Sequence, residues 1–129
     1  MPAAKVLVVD DELSVLRLVS KVLSARGFEV EAASHPFQAL QLVHDMPCFD
    51  LVVSDVIMPD MCGPELVRAI IKMCPDAAVV LMSAYISNEA LPGNATFIGK
   101  PFGLADLCSV AEKALERRGP QEVRRAPAI

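Results

Sequence analysis

The chain has 129 residues, 53% of them hydrophobic, a mean hydropathy of +0.43 and a net charge of −4. That length suits one compact domain burying roughly two thirds of its unfolded surface, leaves no room for a second, and is too apolar for disorder. The acidic balance argues against a general affinity for nucleic acid or anionic membrane, since phosphate groups are bound through clustered Lys and Arg.

Only Arg117-Arg118 and Arg124-Arg125 are locally basic. No apolar run approaches the ~20 residues that cross a bilayer, and Met1-Pro2-Ala3-Ala4-Lys5 lacks the apolar core of a signal peptide, so a cytoplasmic location with no membrane contact is expected. Cys48, Cys62, Cys74 and Cys108 form no C-x-x-C pair and have no nearby His to complete a zinc set. All four are expected to be reduced, with Cys62, beside Gly63, the most exposed.

Val6 to Val9 is a short apolar run of the kind buried on both faces of a parallel sheet, and it runs into Asp10-Asp11. Asp11 is placed to cap a following helix, with Glu12 in its first turn. Leu16, Val19 and Leu23, with Val15, Leu18 and Val22 beside them, repeat at helical spacing and give that helix a broad buried stripe, and Gly27 ends it as a left-handed cap. Phe28 to Ala33 alternates apolar residues with Glu29 and Glu31, which marks a strand at a sheet edge. Pro36 suits the first turn of a second helix, buried through Ala39, Leu40 and Val43 and stopped by Pro47. Leu51-Val52-Val53-Ser54-Asp55 is then a buried strand ending in a carboxylate, before Val56-Ile57-Met58-Pro59.

Gly63-Pro64-Glu65 reads as the start of a third helix with proline at its first position, its core face made by Leu66, Val67, Ile70 and Ile71. Ala77 to Met82 is the fourth strand and delivers Ser83. From Tyr85 to Asn94, a stretch holding Pro92-Gly93, there is space for about two turns of helix at most. Ala95 to Ile98 is a fifth strand, followed at once by Lys100-Pro101. Leu104, Leu107, Ala111 and Leu115 define the last helix, ended by Gly119-Pro120. Residues 1–118 thus form the domain and 119–129 a flexible tail or linker stub. Five β-α repeats specify a parallel sheet with right-handed crossovers, helices on both faces and a ligand site at the carboxyl ends of its strands.

Asp10, Asp11 and Asp55 converge there if the first strand lies beside the third. Three carboxylates at close quarters repel, and a divalent cation resolves the repulsion. An all-oxygen donor set favours Mg²⁺, or Mn²⁺, over zinc. Lys100 supplies a mobile positive charge and Ser83 a hydroxyl, both suited to phosphoryl oxygens. Asp55, alone at its strand end, is the candidate nucleophile toward phosphorus, and the Asp10-Asp11 pair is read as holding the metal.

Val8-Val9-Asp10-Asp11-Glu12, Asp55 with Met58-Pro59 and Gly63, Met82-Ser83-Ala84 and Lys100-Pro101-Phe102 together resemble the receiver domain of two-component response regulators, over residues 5 to about 117. The resemblance implies a flavodoxin-like doubly wound fold with strand order 2-1-3-4-5. It implies that Asp55 accepts a phosphoryl group from a phosphohistidine of a histidine kinase or phosphotransfer protein. Mg²⁺ would be bound by Asp11, Asp55 and the Ile57 carbonyl, with Asp10 acting through water. Ser83 and Lys100 would bind phosphoryl oxygens, Ser83 and Phe97 would form the conformational switch, and Lys100-Pro101 would be a cis peptide. The short stretch after Ser83, with Met61-Cys62-Gly63-Pro64-Glu65-Leu66, is most similar to the C-terminal receivers of hybrid sensor kinases. Its fourth helix is expected to be short or irregular. The face on which many receivers dimerise or dock outputs is therefore not expected to act in the usual way, and a weak homodimer is the self-association expected.

Two other readings compete. A haloacid-dehalogenase-type phosphatase also uses an aspartate nucleophile with Mg²⁺, but its second acid would fall at Ile57. A degenerate receiver would act only as a docking module, yet every site residue is present. The chain is therefore expected to be a signalling domain rather than an enzyme, with no direct nucleic acid binding. Ile57 and Tyr85, two residues beyond Asp55 and Ser83, are expected to shield the phosphoryl group from water. His35 and His44 are read as exposed or satisfied, Met58 as bordering the site, and the other methionines as core filler.

Overall fold

The computed structural model describes residues 3–46, 48–84 and 95–125. The expected short helix between Tyr85 and Asn94, Tyr85 itself and the helix-stopping Pro47 lie outside the described residues.

Five strands, β1 (Lys5–Val9), β2 (Glu29–Ala33), β3 (Leu51–Asp55), β4 (Ala78–Ser83) and β5 (Thr96–Gly99), form one parallel sheet in the order β2-β1-β3-β4-β5. The described helices are α1 (Leu13–Ala25), α2 (Pro36–Asp45), α3 (Gly63–Met73) and α4 (Leu104–Arg125). The expected doubly wound order is therefore observed, with β2 at an edge and largely exposed.

Side chains alternate across the sheet as the twofold strand period requires. Val6, Val8, Leu51, Val53, Val80 and Met82 face α1 and α4, meeting Leu16, Val19, Leu23, Leu107 and Ala111. Leu7, Val9 and Val52 face the other way, toward Ala39 and Val43 of α2 and Leu66 and Ile70 of α3. Every residue of β3 and β4 is buried, which explains why both read as unbroken apolar runs. Phe97 of the edge strand β5 is half-buried against the cluster of Val67, Val79 and Leu81.

Gly27 has φ +97°, and the chain reverses around it through bonds from Gly27 N–H to Ser24 O at 3.0 Å and from Phe28 N–H to Leu23 O at 3.2 Å. This is the left-handed helix end expected from sequence.

Several local expectations are corrected. Glu12, not Asp11, occupies the cap position of α1 and makes no side-chain cap bond. Asp10 Oδ1 instead accepts from Glu12 N–H at 2.9 Å, bridging the turn from β1 into α1. Proline takes the second position of α3, behind Gly63, with Cys62 as the cap. Helix α4 continues through Gly119-Pro120 to Arg125. A proline inside a helix loses one backbone bond at a cost of about 3 kcal/mol, which weakens a turn without forbidding it.

The cysteines are not all reduced. Cys48, after α2, and Cys74, at the end of α3, are joined as a disulfide with their Cα atoms 5.5 Å apart. Their 26-residue separation hides the pairing from sequence, because only the packing of α2 against α3 brings the two ends together. Cys62 and Cys108 are free, and Cys48 rather than Cys62 is the exposed one.

Candidate functional site

Strand register assembles the site. Val9 lies opposite Ser54, so the next residues along, Asp10 and Asp55, leave the sheet at one level. Asp55 pairs with Met82 and Ser83 with Gly99, which puts Ser83 and Lys100 at the same edge. Backbone bonds carry the order past the strand ends: Asp10 N–H to Ala33 O at 3.2 Å, Val56 N–H to Met82 O at 3.0 Å and Lys100 N–H to Ser83 O at 2.7 Å. These strands end together because each apolar run stops where its polar residue begins.

The three acids are brought together as expected: Asp10, Asp11 and Asp55 each offer a carboxylate oxygen within 4.8 Å of the others. Asp10 is fully buried, Asp55 is 8% exposed and Asp11 is exposed. Lys100 Nζ reaches back to donate to Asp10 Oδ2 at 3.0 Å and lies 3.4 Å from Asp55 Oδ1. The Lys100-Pro101 peptide is cis.

Burial first, then the charge of Asp10, pushes the Asp55 carboxyl above its ordinary value, against the opposing pull of Lys100. Desolvation works against the Lys100 ammonium, but the hydrogen bond and charge of Asp10, with those of Asp55, outweigh it and raise Lys100. The site thus holds more negative charge than one lysine balances. Its donors are hard oxygens with no His or Cys among them, the set that suits Mg²⁺ or Mn²⁺.

An open cleft of about 250 Å³ gives access to this charge, lined by Asp11, Glu12, Asp55, Ile57, Ser83, Ala84 and Lys100. Ser83 is buried and Ile57 is 62% exposed on the cleft's rim. Met58, read from sequence as bordering the site, does not line the cleft and is buried in the core against α2 and α3. Phe97 does not line the cleft; it is packed on the α3 side of the sheet.

Two features escaped the sequence reading. Glu12 lines the cleft, whereas its position after the acid pair suggested only a helix start. His35 bonds Asp60 in the loop that follows Asp55, with Nε2 to Oδ2 at 2.8 Å. Nothing in the spacing of 25 residues could have announced that contact. His44 is exposed and paired with its neighbour Asp45. No helix among the described residues is long and apolar enough to cross a membrane.

This fold has counterparts among known proteins. Residues 6–112 match the response regulator receiver domain family. The chain is 35% identical over 122 residues to the sensor kinase CckA of Brucella abortus (strain 2308), an overlap spanning 90% of this chain and 13% of that protein. It is 34% identical over 125 residues to the DNA-binding transcriptional regulator NtrC of Azospirillum brasilense, spanning 93% of this chain and 26% of the regulator. The chain thus covers a small part of either relative.

Among solved structures, the receiver domain from hybrid histidine kinase CckA superposes with a TM-score of 0.78 at 31% identity, over 87% of this chain and 99% of that one. A CheY-like receiver from Methanospirillum hungatei JF-1 gives a TM-score of 0.84 at 26% identity, over 92% and 98% of the two chains. Family match, strand order and converging acids agree, and the chain belongs to the response regulator receiver domains of two-component signalling.

Proposed function

We propose that this receiver is a phosphoacceptor in which Asp55 takes the phosphoryl group of a phosphohistidine on a histidine kinase or phosphotransfer protein. The observation that carries the reading is the placement of Asp55 at the end of the central strand. It opens on a cleft, stands against Asp10 and has the Lys100 ammonium 3.4 Å away. An Asp55 carboxylate oxygen forms a bond to phosphorus as the phosphorus–nitrogen bond of the donor breaks, and the departing imidazole takes the electron pair. Lys100 orients and neutralises phosphoryl oxygens, and Ser83 supplies a hydroxyl from β4.

Asp11, Asp55 and the Ile57 carbonyl would hold Mg²⁺, with Asp10 contributing through water. When bound, the ion supplies positive charge against the phosphoryl oxygens. Raised by burial and by Asp10, Asp55 is a reluctant anion without it. The buried Ser83 and the half-buried Phe97 lie on neighbouring strands, which supports their reading as the switch pair. The exposed Ile57 stands where it would obstruct water, and slow loss of the phosphoryl group is expected. Residues 1–118 form the signalling unit in this reading, with the end of α4 beyond Gly119 outside it, and no direct nucleic acid contact is assigned to either part.

The test is phosphorylation of wild type and Asp55→Asn by a small phosphodonor with Mg²⁺, read by intact mass. Wild type is expected to gain one phosphoryl group and the variant none. An equal gain in both refutes Asp55 as the acceptor.

A further inference from the structure

The loop between β3 and α3, residues 56–62, carries Ile57 along the rim of the cleft. Its base is closed by Gly63 N–H donating to Val56 O at 2.7 Å, and Met58 is buried in the core. Its tip is a three-residue turn in which Met61 N–H donates to Pro59 O at 2.8 Å around Asp60. Asp60 has φ +70°, a left-handed conformation that most side-chain-bearing residues avoid and that Asp and Asn tolerate best.

The Asp60 side chain is contacted from another element. His35 is the cap residue of α2, and its Nδ1 accepts from Phe37 N–H at 3.0 Å. A backbone amide only donates, so Nδ1 carries the lone pair and the ring proton sits on Nε2. That nitrogen therefore donates to Asp60 Oδ2 at 2.8 Å. The Phe37 ring stands edge-on with its centroid 4.7 Å away and limits rotation of the imidazole. Helix α2 thus presents one oriented donor to the tip of the loop.

We propose that His35 is a positioning residue. By holding Asp60 it keeps the loop that carries Ile57 in its metal-ready shape, so divalent-cation affinity depends on a side chain that touches neither cation nor phosphoryl group. This rests on the reading of Asp11, Asp55 and Ile57 as the cation site. Residues supporting a ligand set commonly change metal affinity ten- to a hundred-fold, and the contact here is one step further out. It is also partly solvated, with His35 34% and Asp60 60% exposed, so a loss of about three- to ten-fold is expected.

The experiment measures Mg²⁺ binding by calorimetry and amide hydrogen exchange in the metal-free protein. His35→Asn retains a strong helix cap but is too short to reach Asp60. It is expected to weaken Mg²⁺ binding about three- to ten-fold and to speed exchange at residues 57–61. Protection at residues 37–39 should stay as in wild type, which a lost cap would not allow. Asp60→Asn keeps an acceptor and tolerates the left-handed turn, and should bind within about two-fold of wild type. Asp60→Ala should match His35→Asn, and the double variant His35→Asn, Asp60→Ala should be no weaker than Asp60→Ala alone.

Wild-type affinity in His35→Asn, or additive losses in the double variant, overturns the positioning role. Should wild type bind Mg²⁺ no better than Asp11→Asn, Asp55→Asn, the cation site itself is wrong and the inference falls with it. Binding that is lost in the acid variant but unchanged in His35→Asn sinks the inference alone.

Discussion

Replacing Lys100 by methionine keeps most of the apolar stem, one atom short of the ammonium, and removes the charge between Asp10 and Asp55. At an effective dielectric constant of about 20, each contact, at 3.0 and 3.4 Å, carries roughly 5 kcal/mol of gross attraction. The two carboxylates left behind offer oxygens within 4.8 Å of each other and repel by at least about 3 kcal/mol on the same scale. Desolvation of the ammonium offsets much of the attraction, and the 17% exposure of Lys100 screens the rest. Lys100→Met is therefore expected to lower metal-free stability by about 2–4 kcal/mol, near the loss seen when one partner of a buried pair is removed. That is a large share of a typical total of about 5–15 kcal/mol, yet it leaves the chain folded. Urea denaturation followed by circular dichroism, with and without saturating Mg²⁺, measures it. The deficit should shrink with Mg²⁺, which replaces the missing positive charge. A metal-free loss below about 1 kcal/mol, or a deficit indifferent to Mg²⁺, refutes the reasoning.

Asp55 is raised above its unfolded value of 3.8, so its ionisation works against the fold: the stability it contributes at low pH is lost as pH rises through the folded value. Metal-free Asp55→Asn should accordingly be more stable than wild type at neutral pH, with the advantage fading toward pH 3.8, and urea curves across that range decide it. Lys100 is raised as well, so its pairing persists through neutral pH and is lost only above its ordinary 10.5, in alkali. At Gly63 an added Cβ would collide with the Asp55 carbonyl oxygen and stand 2.9 Å from Val56 Cα, backbone on every side. Gly63→Ala should cost about 1–3 kcal/mol in urea denaturation and weaken Mg²⁺ binding, and wild-type values in both would refute the close approach. Thiol titration under denaturing conditions should find two free cysteines and, after reduction, four. Reduction should cost about 3–4 kcal/mol for a cross-link spanning 26 residues, and four thiols at the outset would refute the Cys48–Cys74 bond.

The sequence by itself determined the features that depend on neighbours along the chain. Unbroken apolar runs at 6–9, 51–53 and 79–82 are strands because a strand buried on both faces favours nothing else, the acids and Ser83 sit where those runs stop, and Lys100 follows the shorter β5. Gly27 had to end α1 because the left-handed turn there admits few other residues. Helix ends were less legible, as Asp11 and Gly119-Pro120 showed, because capping and breaking preferences of a few kcal/mol yield to competing contacts. The tertiary structure alone decided which distant groups meet. The register of β1 on β3 set Asp10 level with Asp55, the approach of α2 to α3 joined Cys48 to Cys74, and the cap of α2 put His35 on Asp60. The convergence of Asp10 on Asp55 was legible in the strand-end acids, but the Cys48–Cys74 and His35–Asp60 contacts leave no local trace, because each is fixed by the packing of whole elements rather than by any residue's preference for its own backbone state.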